Sequence, residues 1–266
     1  MIAPAPAKIN LALVAGPVRD DGKHELLTVY QRVDLGDRIT VEPAGTTTVE
    51  GFEDTIVTRA LALLGAPHGW RVGIEKHIPV SAGLGGGSSD AATALRLANA
   101  QLDEPLPRRE LHALAAQVGA DVPFFLHDGP QLGSGDGTTL APVELPQDFV
   151  VLLLLPAGER KQSTGEVYAR FDARRGAAGF DERATELRAA LGSVRRPRDL
   201  AALPPNDLVS SPLADRLREA GAFRADVSGA GPTLYGLFHD EDAAKRSKRA
   251  IRGLGEAWIT VPAWYG

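Results

Sequence analysis

The densest group of residues that could do chemistry is a glycine-rich segment in the first half of the chain. It reads Pro79-Val80-Ser81-Ala82-Gly83-Leu84-Gly85-Gly86-Gly87-Ser88-Ser89. Consecutive glycines are entropically costly inside regular structure, but they suit a backbone that must approach a ligand closely. A helix-forming stretch follows at residues 90–99, so free N–H groups and the positive end of a helix dipole would point at one spot. We expect the segment to hold phosphate groups, and the alternative is a flexible surface turn.

This segment differs from two familiar phosphate-binding loops. It is not a Walker A loop, because no Gly-Lys-Ser/Thr follows four variable residues, and it is not a dinucleotide fingerprint, because Ser88 stands where the third glycine would be. We expect Ser88 and Ser89 to cap the following helix. Asp90 would then lie in the first helical turn, where an acidic side chain is stabilised by the helix dipole.

Two charged residues lie in apolar surroundings elsewhere in the chain. Asp121 follows a helix end within the run Gly119-Ala120-Asp121-Val122-Pro123-Phe124-Phe125. A partly desolvated carboxylate there could serve as a base for a hydroxyl proton, and the alternative is a turn aspartate. Lys8 begins an apolar strand and could pair with a carboxylate or a phosphate. Its alternative is a surface lysine whose stem lies along apolar side chains.

Two loops offer further polar groups. In Asp21-Gly22-Lys23-His24-Glu25, His24 could donate a hydrogen bond to the polar edge of a ligand, or it could be an ordinary loop histidine. A second glycine turn, Ser228-Gly229-Ala230-Gly231-Pro232-Thr233, is either a ligand-binding loop or a hairpin connection.

Composition excludes several classes of protein. The 266 residues suit one large or two modest domains, and 44% hydrophobic residues are typical of a globular chain. A net charge of -5 gives the molecule as a whole no reason to bind nucleic acid or an anionic membrane. The longest apolar run, residues 149–155, is too short to span a bilayer, and the start of the chain does not resemble a signal peptide. Since cysteine is absent, disulfides and thiolate metal sites are excluded, and we expect a cytoplasmic protein.

The elements that must position these residues are mixed strands and helices, which predicts an α+β fold. Apolar alternation predicts strands at residues 9–14, 27–34, 38–42, 71–76, 150–155, 223–228, 233–238 and 258–261. Helical periodicity predicts helices at residues 54–64, 90–99, 108–118 and 241–253. We place the domain boundary between residues 146 and 147, just before the strand at 150–155.

Taken together, these motifs resemble the GHMP kinase superfamily. The resemblance rests on Pro6-Ala7-Lys8-Ile9-Asn10-Leu11, the glycine-rich segment, the Asp121 run, Asn206-Asp207-Leu208 and the second glycine turn. They occur in the family's order between residues 6 and 233. Within the superfamily, the loop around His24 is most similar to that of the kinases that act on 4-diphosphocytidyl-2-C-methyl-D-erythritol (CDP-methylerythritol) in the non-mevalonate isoprenoid pathway.

The resemblance implies a two-domain architecture and a reaction. Residues 1–146 would form an N-terminal ATP-binding domain of the ribosomal-protein-S5-like type, and residues 147–266 a ferredoxin-like C-terminal substrate domain, with the active site in the cleft between them. ATP with Mg²⁺ would phosphorylate the 2-hydroxyl of CDP-methylerythritol. The chain would work on this small molecule as a monomer or homodimer, without nucleic acid or membrane.

The resemblance also implies roles for individual residues. Asp121 would be the general base, Lys8 would keep it ionised, and residues 79–89 would wrap the triphosphate. Asn10 would help to place the reacting hydroxyl, and His24 would read the cytosine edge. Ser89 is a candidate metal contact.

One position departs from the family pattern, because Lys23 stands where the family commonly has a tyrosine that lies on cytosine. Stacking on an aromatic ring is worth roughly 1–3 kcal/mol per base. Either Tyr30 supplies the stacking face, or cytidine is held more weakly and His24 matters more. Two other functions stay open: another GHMP kinase acting on homoserine, a mevalonate derivative or a sugar, and a non-catalytic ligand-binding protein. The presence of both Lys8 and Asp121 argues against the second.

Overall fold

The computed structural model describes residues 1–52, 55–158 and 163–263. In these ranges the strands form two sheets and helices connect many of the strands, as expected for an α+β chain. The strands are β1 (Ile2–Val18), β2 (His24–Ala44), β3 (Thr48–Glu50), β4 (Gly69–Glu75), β5 (Gln131–Gly135), β6 (Thr139–Pro142), β7 (Val150–Pro156), β8 (Arg224–Val227), β9 (Leu234–Phe238) and β10 (Gly255–Thr260). The helices are α1 (Thr55–Leu64), α2 (Gly86–Asn99), α3 (Arg108–Val118), α4 (Thr164–Ala173), α5 (Phe180–Ser193), α6 (Leu213–Glu219) and α7 (Glu241–Ala250), with 3₁₀ turns at Pro123–Leu126 and Pro197–Ala202.

The first sheet is built around the long strand β2. Its order is β3-β4-β2-β5-β6, with β1 paired antiparallel to β2 off this path, and β3 is parallel to β4. The two strands predicted at residues 27–34 and 38–42 are one strand. Pro6 lies opposite Gly36 and Ala7 opposite Val33, so a bulge bends the β1–β2 pair at this point without ending it.

The second sheet has the order β10-β7-β9-β8, and all its neighbours are antiparallel. In chain order this is fourth, first, third, second. Helices α4, α5 and α6 lie between β7 and β8 in sequence, and α7 lies between β9 and β10. This connection of four strands by helices confirms the predicted ferredoxin-like half of the fold.

The two sheets share one hydrophobic core. Side chains of β1, such as Ile9, lie in the same buried cluster as Leu153 of β7, Tyr235 of β9 and Leu187 of α5. Helix α5 is largely exposed, but its Leu187 is fully buried. Burial of this kind links the second half of the chain directly to the strand that carries Lys8.

Helix α2 begins earlier than the sequence predicts. Its first residue is Gly86, and Gly85 is its N-cap in the left-handed conformation with φ of 72°, while no side chain caps the helix. The expectation that Ser88 and Ser89 cap the helix is therefore wrong. A Cβ on Gly85 would lie 3.0 Å from Cγ of Lys8 and 3.1 Å from Cζ of Phe125, so only glycine fits both the backbone angle and the space.

Asp90 is also placed differently from the expectation. It lies beyond the first turn of α2 and is fully buried, with its Oδ2 2.7 Å from Nζ of Lys76. The same ammonium lies 2.5 Å from Oδ2 of buried Asp37, whose other oxygen accepts hydrogen bonds from the backbone N–H groups of His77 and Ile78. Burial raises the pKa of Asp90 to about 7, against the lowering effect of Lys76, and neighbouring Asp37 adds to the rise.

Most other elements agree with the sequence. Helix α3 has the predicted bounds, and the 3₁₀ turn Pro123–Leu126 that follows it is buried. The predicted helix at residues 54–64 is present as α1, although its expected first residue, Asp54, lies outside the described residues. Among the described residues, no helix has the length and apolar character needed to cross a membrane.

The shared core leads to a stability prediction. Leu187→Ala should cost about 2–5 kcal/mol, because it leaves a cavity against β1. Arg188→Ala, on the exposed face of the same helix, should change the free energy of unfolding by less than about 0.5 kcal/mol. Urea unfolding of both variants measures the difference. Equal midpoints would contradict the packing of α5 against β1.

The buried Asp90 leads to a prediction about pH. Its pKa of about 7 lies above the roughly 3.9 of an unfolded chain. The stability that this raised pKa contributes is complete below the unfolded value and is lost as the pH rises through the folded value. Asp90→Asn removes the titration, so its melting temperature should fall less than that of wild type between about pH 5 and about pH 8. The exposed variant Asp103→Asn should follow wild type, and identical curves for all three proteins would refute the assignment.

Candidate active site

A large cavity lies between the glycine-rich segment, the β1–β2 pair, the second glycine turn and helix α4. Its volume is about 1040 Å³, at the upper end of the range for small-molecule sites. The predicted residues that line it are Lys8, Asn10, His24, Tyr30, Asp121 and residues 79–88. Residues from distant parts of the sequence therefore meet at one site.

Lys8 and Asp121 form an ion pair at the floor of this cavity. Nζ of Lys8 lies 3.3 Å from Oδ2 of Asp121 and donates a hydrogen bond of 2.7 Å to Oδ1 of Asn10. The lysine side chain is 4% exposed, whereas that of Asp121 is 31% exposed. The cation is thus held by protein groups, while the carboxylate remains open to a ligand.

Tyr30 contacts the same carboxylate, and its position corrects the stacking expectation. Its hydroxyl donates to Oδ1 of Asp121 at 3.1 Å, and its ring stacks on Phe124 with centroids 4.9 Å apart. The residue is 2% exposed, so it offers no open face to a nucleobase. Burial, together with the charge of Asp121, raises the pKa of the Tyr30 hydroxyl well above its ordinary value, which keeps it a donor.

Thr28 is a cavity residue that lies outside the sequence motifs. Its hydroxyl accepts a hydrogen bond of 2.8 Å from Nδ2 of Asn10 and donates one of 2.8 Å to the carbonyl of Ala12. The signal was present in the sequence, because Thr28 stands two residues before Tyr30 on β2 and alternate residues of a strand share a face. These contacts orient the amide of Asn10 so that its oxygen meets Lys8.

The glycine-rich segment presents its backbone to the cavity. As the first residues of α2, Gly86, Gly87 and Ser88 have N–H groups that the helix cannot pair internally, and they lie at the positive end of the helix dipole. Ser81 has a φ of 62°, a left-handed conformation that non-glycine residues seldom adopt and that is common at ligand sites. This arrangement suits an anion such as phosphate.

The second glycine turn is both a hairpin connection and a wall of the cavity. It joins β8 to β9, and its residues Gly229, Ala230 and Gly231 line the cavity. The hydroxyl of Ser228 donates to the carbonyl of Gly83 at 3.2 Å. A Cβ on Gly83 would lie 2.5 Å from the Gly231 carbonyl oxygen, so the two glycine turns pack backbone against backbone.

Asn206 explains why the Asn-Asp motif accompanies this turn. Its Nδ2 donates to the carbonyls of Val227 and Gly229 at 3.0 and 2.6 Å, and its backbone N–H donates to Asp226. Asn206 is buried, and its hydrogen bonds fix the backbone of the turn.

The structure does not support Ser89 as a metal contact. Its side chain is fully buried, it does not line the cavity, and its hydroxyl has no hydrogen-bond partner among the described residues. Ser88 does line the cavity. In the described ranges, no group of three or more His, Cys, Asp or Glu side chains could hold a metal ion.

One side of the cavity is mostly apolar, and Lys76 lies beside its apolar side chains. Val80 and Ile56 are exposed to 60% and 38%, and Nζ of Lys76 lies 5.5 Å from the ring centre of Phe52. These residues carry no local motif. They come together only because β4 ends and α1 begins beside the glycine-rich segment.

His24 lies in an aromatic corner at the other side of the cavity. Its ring stacks on Tyr168 of α4 with centroids 4.4 Å apart and an interplanar angle of 19°, and its Nε2 lies 2.8 Å from Oδ1 of Asp172. Helix α4 begins with a capping box between Ser163 and Glu166, which sets the start of the helix that carries Tyr168. Tyr168 and Asp172 stand one turn apart on α4 and belong to none of the motifs that the sequence presents.

Lys23 lies next to this corner and pairs with Asp136, its Nζ 2.5 Å from Oδ2. Burial alone would raise the pKa of Asp136, but hydrogen bonds from Lys23 and Thr138 outweigh it and lower that pKa to about 2. The Asp136 carboxylate therefore remains ionised at neutral pH.

Known protein families match both halves of the chain. Residues 55–129 match the GHMP kinases N terminal domain, and residues 199–257 match the GHMP kinases C terminal family. A solved mevalonate kinase from Methanococcus jannaschii shares the fold, with a TM-score of 0.74 over 99% of this chain and 98% of that one at 15% identity.

Two relatives are more similar in sequence. A 4-diphosphocytidyl-2-C-methyl-D-erythritol kinase from Mycolicibacterium smegmatis is 40% identical over 94% of this chain and 85% of its own length. A crystal structure of a 4-(cytidine 5'-diphospho)-2C-methyl-D-erythritol kinase is 32% identical, with a TM-score of 0.76 over 99% of this chain and 100% of that one. With this identity over almost its whole length, the chain belongs to the 4-diphosphocytidyl-2-C-methyl-D-erythritol kinase family of the GHMP kinases.

Proposed function

We propose that the chain transfers the γ-phosphate of ATP to the 2-hydroxyl of CDP-methylerythritol. The observation that carries the proposal is the Lys8–Asp121 pair, which lies in the same cavity as the free N–H groups at the start of α2. A partly exposed carboxylate and an anion-binding helix end are the two parts that phosphoryl transfer to an alcohol requires. The names of the family members supply the substrate.

The phosphates of ATP would lie against the glycine-rich segment. The N–H groups of Gly86, Gly87 and Ser88 would donate to phosphate oxygens, and Lys76 would contribute an ammonium beside them. A Cβ on Gly86 would lie 3.3 Å from Nζ of Lys76, which places this cation beside the first turn of α2. The apolar side formed by Phe52, Ile56 and Val80 suits the adenine ring, since nucleobase sites are mostly apolar.

Asp121 would act on the acceptor hydroxyl. As the hydroxyl oxygen bonds to the γ-phosphorus and the bond to the β,γ-bridging oxygen breaks, the hydroxyl proton passes to the Asp121 carboxylate. The ammonium of Lys8 lies 3.3 Å from Oδ2 of this carboxylate and so places an opposite charge beside the base. Tyr30 donates a hydrogen bond to Oδ1 of Asp121, and Lys8 contacts the other oxygen, Oδ2. Asn10 would place the hydroxyl from beside Lys8.

Magnesium would enter this site with ATP. The residues present fit an ion carried by phosphate oxygens better than one held in a cage of protein ligands, because the described residues contain no cluster of metal-ligating side chains. The Ser88 hydroxyl and the Asp121 carboxylate line the cavity and could contact it. When bound, the metal neutralises charge on the transferred phosphate.

The aromatic corner would receive the cytidine. His24 would hydrogen-bond the cytosine edge while Asp172 holds its Nε2, and Tyr168 would supply the ring that Lys23 lacks. Both tyrosines line the cavity, but Tyr168 is half-buried whereas Tyr30 is only 2% exposed. Cytidine is thus held by stacking even though the family's tyrosine is replaced.

The domain division between residues 146 and 147 also remains our proposal. It is supported by the end of the first sheet at Pro142 and the start of the second at Val150. The cytoplasmic location and the monomeric or homodimeric state stay predictions from the sequence.

The activity can be tested by ADP release from purified protein with ATP, Mg²⁺ and CDP-methylerythritol, with homoserine, mevalonate and galactose alongside. We expect turnover with the cytidyl substrate alone. Asp121→Asn should lower kcat by about 10²–10⁴-fold, because it removes the base. Its binding of a non-hydrolysable ATP analogue should be retained, since the N–H groups are unchanged.

The exposed variant Asp128→Asn is the matched control and should keep wild-type turnover. Turnover with another alcohol would keep the kinase chemistry and reject the substrate. Binding of the analogue without any turnover would favour a non-catalytic protein.

The aromatic corner yields a second prediction. Tyr168→Ala should raise KM for the cytidyl substrate by about 5- to 150-fold, the equivalent of one stacking interaction, while KM for ATP stays the same. Tyr168→Phe keeps the ring and should behave like wild type. Steady-state kinetics with each substrate varied in turn would show this, and an equal effect of both variants would contradict stacking.

A further inference from the structure

Arg224 is a buried cation that the chemistry of the cavity does not use. It is 6% exposed and belongs to β8 of the second sheet. Its guanidinium donates to the carbonyls of Leu203 and Pro204 at 2.6 and 2.8 Å, and its Nε donates to the hydroxyl of Tyr235 at 3.0 Å. A buried arginine normally needs such a complete set of acceptors, because desolvation of the charge is costly.

Arg224 and Tyr235 each donate a hydrogen bond to the first sheet, and both bonds end on the same carbonyl oxygen. Nη2 of Arg224 lies 2.5 Å from the carbonyl oxygen of Leu11, and the hydroxyl of Tyr235 lies 3.1 Å from the same oxygen. Leu11 belongs to β1, between Asn10 and Ala12. The second sheet therefore holds the strand that carries Lys8 through its backbone.

Leu11 is the extra residue of a β-bulge. Asn10 is paired with Tyr30 and Ala12 with Val29, so Leu11 has no partner residue on β2. A bulge leaves backbone groups outside the regular ladder, and these need other partners when they are buried. Arg224 and Tyr235 supply them for the Leu11 carbonyl.

The bulge decides which side chains of β1 face the cavity. Before it, Ile9 and Leu11 lie in the core shared by the two sheets, and after it Ala12 takes that side. Lys8 and Asn10 face the cavity before the bulge, and Leu13 faces it afterwards. A shift of the bulge by one residue would turn cavity residues towards the core, because side chains alternate along a strand.

The carbonyl that follows the bulge is bound by Thr28, a residue that lines the cavity. The carbonyl of Ala12 accepts the hydrogen bond from Thr28, and Thr28 in turn accepts one from Asn10. The two carbonyls at the bulge are thus held from opposite sides, one by the second sheet and one by the group that orients Asn10 and Lys8.

We propose that Arg224 and Tyr235 are positioning residues for phosphoryl transfer, which hold the Leu11 carbonyl at the bulge and thereby keep Lys8 and Asn10 aimed at Asp121 and the acceptor hydroxyl. The inference rests on the proposed function, because it concerns the same Lys8–Asp121 pair. It assigns a role in catalysis to the second sheet through residues that lie outside the cavity.

Two variants test this role. Tyr235→Phe removes one donor to Leu11 and keeps the buried ring. Arg224→Lys keeps the charge, but an ammonium cannot reach all the acceptors of the guanidinium fork. We expect kcat to fall by about 3- to 30-fold in each, with KM for ATP and for the cytidyl substrate within about twofold of wild type. Hydrogen exchange of the amides in residues 8–13 should be faster in both.

Arg218→Lys is the matched control. Arg218 also donates to a backbone carbonyl of β8, that of Ala225 at 2.9 Å, but it makes no contact with β1 among the contacts described. We expect this variant to keep wild-type kcat and wild-type exchange at residues 8–13. Leu154→Ala, a fully buried residue of the same sheet outside the shared core, should lower the melting temperature and leave kcat unchanged.

Assays are run well below the melting temperature of every variant, so that loss of folded protein does not enter kcat. If Tyr235→Phe and Arg224→Lys lose stability but keep wild-type kcat and exchange, their role is structural and the proposal is wrong. If Arg224→Lys fails to fold, Tyr235→Phe alone decides between the two results. A wild-type chain without turnover would overturn the proposed function and this inference together, whereas an active wild type with unaltered variants would overturn the inference alone.

Discussion

The ammonium of Lys8 lies in a place where water hardly reaches it, and much of the site is arranged around that constraint. A buried cation is stable only when charged and polar groups replace its hydration. Asp121 and Asn10 do so directly, and Thr28 orients Asn10. The backbone N–H of Lys8 also donates to the carbonyl of Leu84 at 2.9 Å, so the residue that holds the base also holds the glycine-rich segment. The two halves of the proposed reaction are therefore tied to one residue.

A second lysine of the cavity, the half-buried Lys76, shows how an acidic protein can bind a triphosphate. Lys76 is balanced by Asp37 and Asp90, just as Lys8 is balanced by Asp121, so neither cation adds a free positive charge to the cavity. The attraction for phosphate then comes mainly from oriented N–H groups at the start of α2, whose partial charges need no counter-ion. This agrees with the net charge of -5, which leaves local devices as the means of binding an anion.

Features of the fold that depend on local chemistry could be predicted from the sequence, and features that depend on tertiary contacts could not. Helix α3 has the predicted ends, because Gly119 stops it and its apolar residues recur at helical spacing. The continuity of β2 was missed, since a bulge opposite Pro6 looks like a strand break. Ser89 is an acceptable cap by type, but the left-handed turn at Gly85 starts the helix four residues earlier.

The same distinction applies within the site. Lys8, Asn10, Asp121 and the glycine-rich segment lie in motifs, and the structure brings them together in one cavity. Lys76 has no motif of its own, and its position follows from where β4 ends relative to α2. Tyr30 has the right residue type for stacking on a nucleobase. Its ring, however, stacks on Phe124 and its hydroxyl donates to Asp121, so it contacts the proposed general base instead.

The replacement of an aromatic residue by Lys23 shows how the cytidine side can change without losing its ring. Lys23 is held at the edge of the cavity by Asp136, and the aromatic face next to His24 comes from Tyr168 on α4, which follows β7. Because α4 belongs to the second half of the chain, the cavity is complete only when both halves are in place. The bulge at Leu11 joins the same halves on the opposite side, beneath Lys8. Substrate recognition and base positioning thus both depend on the contact between the two sheets, where side chains of both sheets lie in one buried cluster.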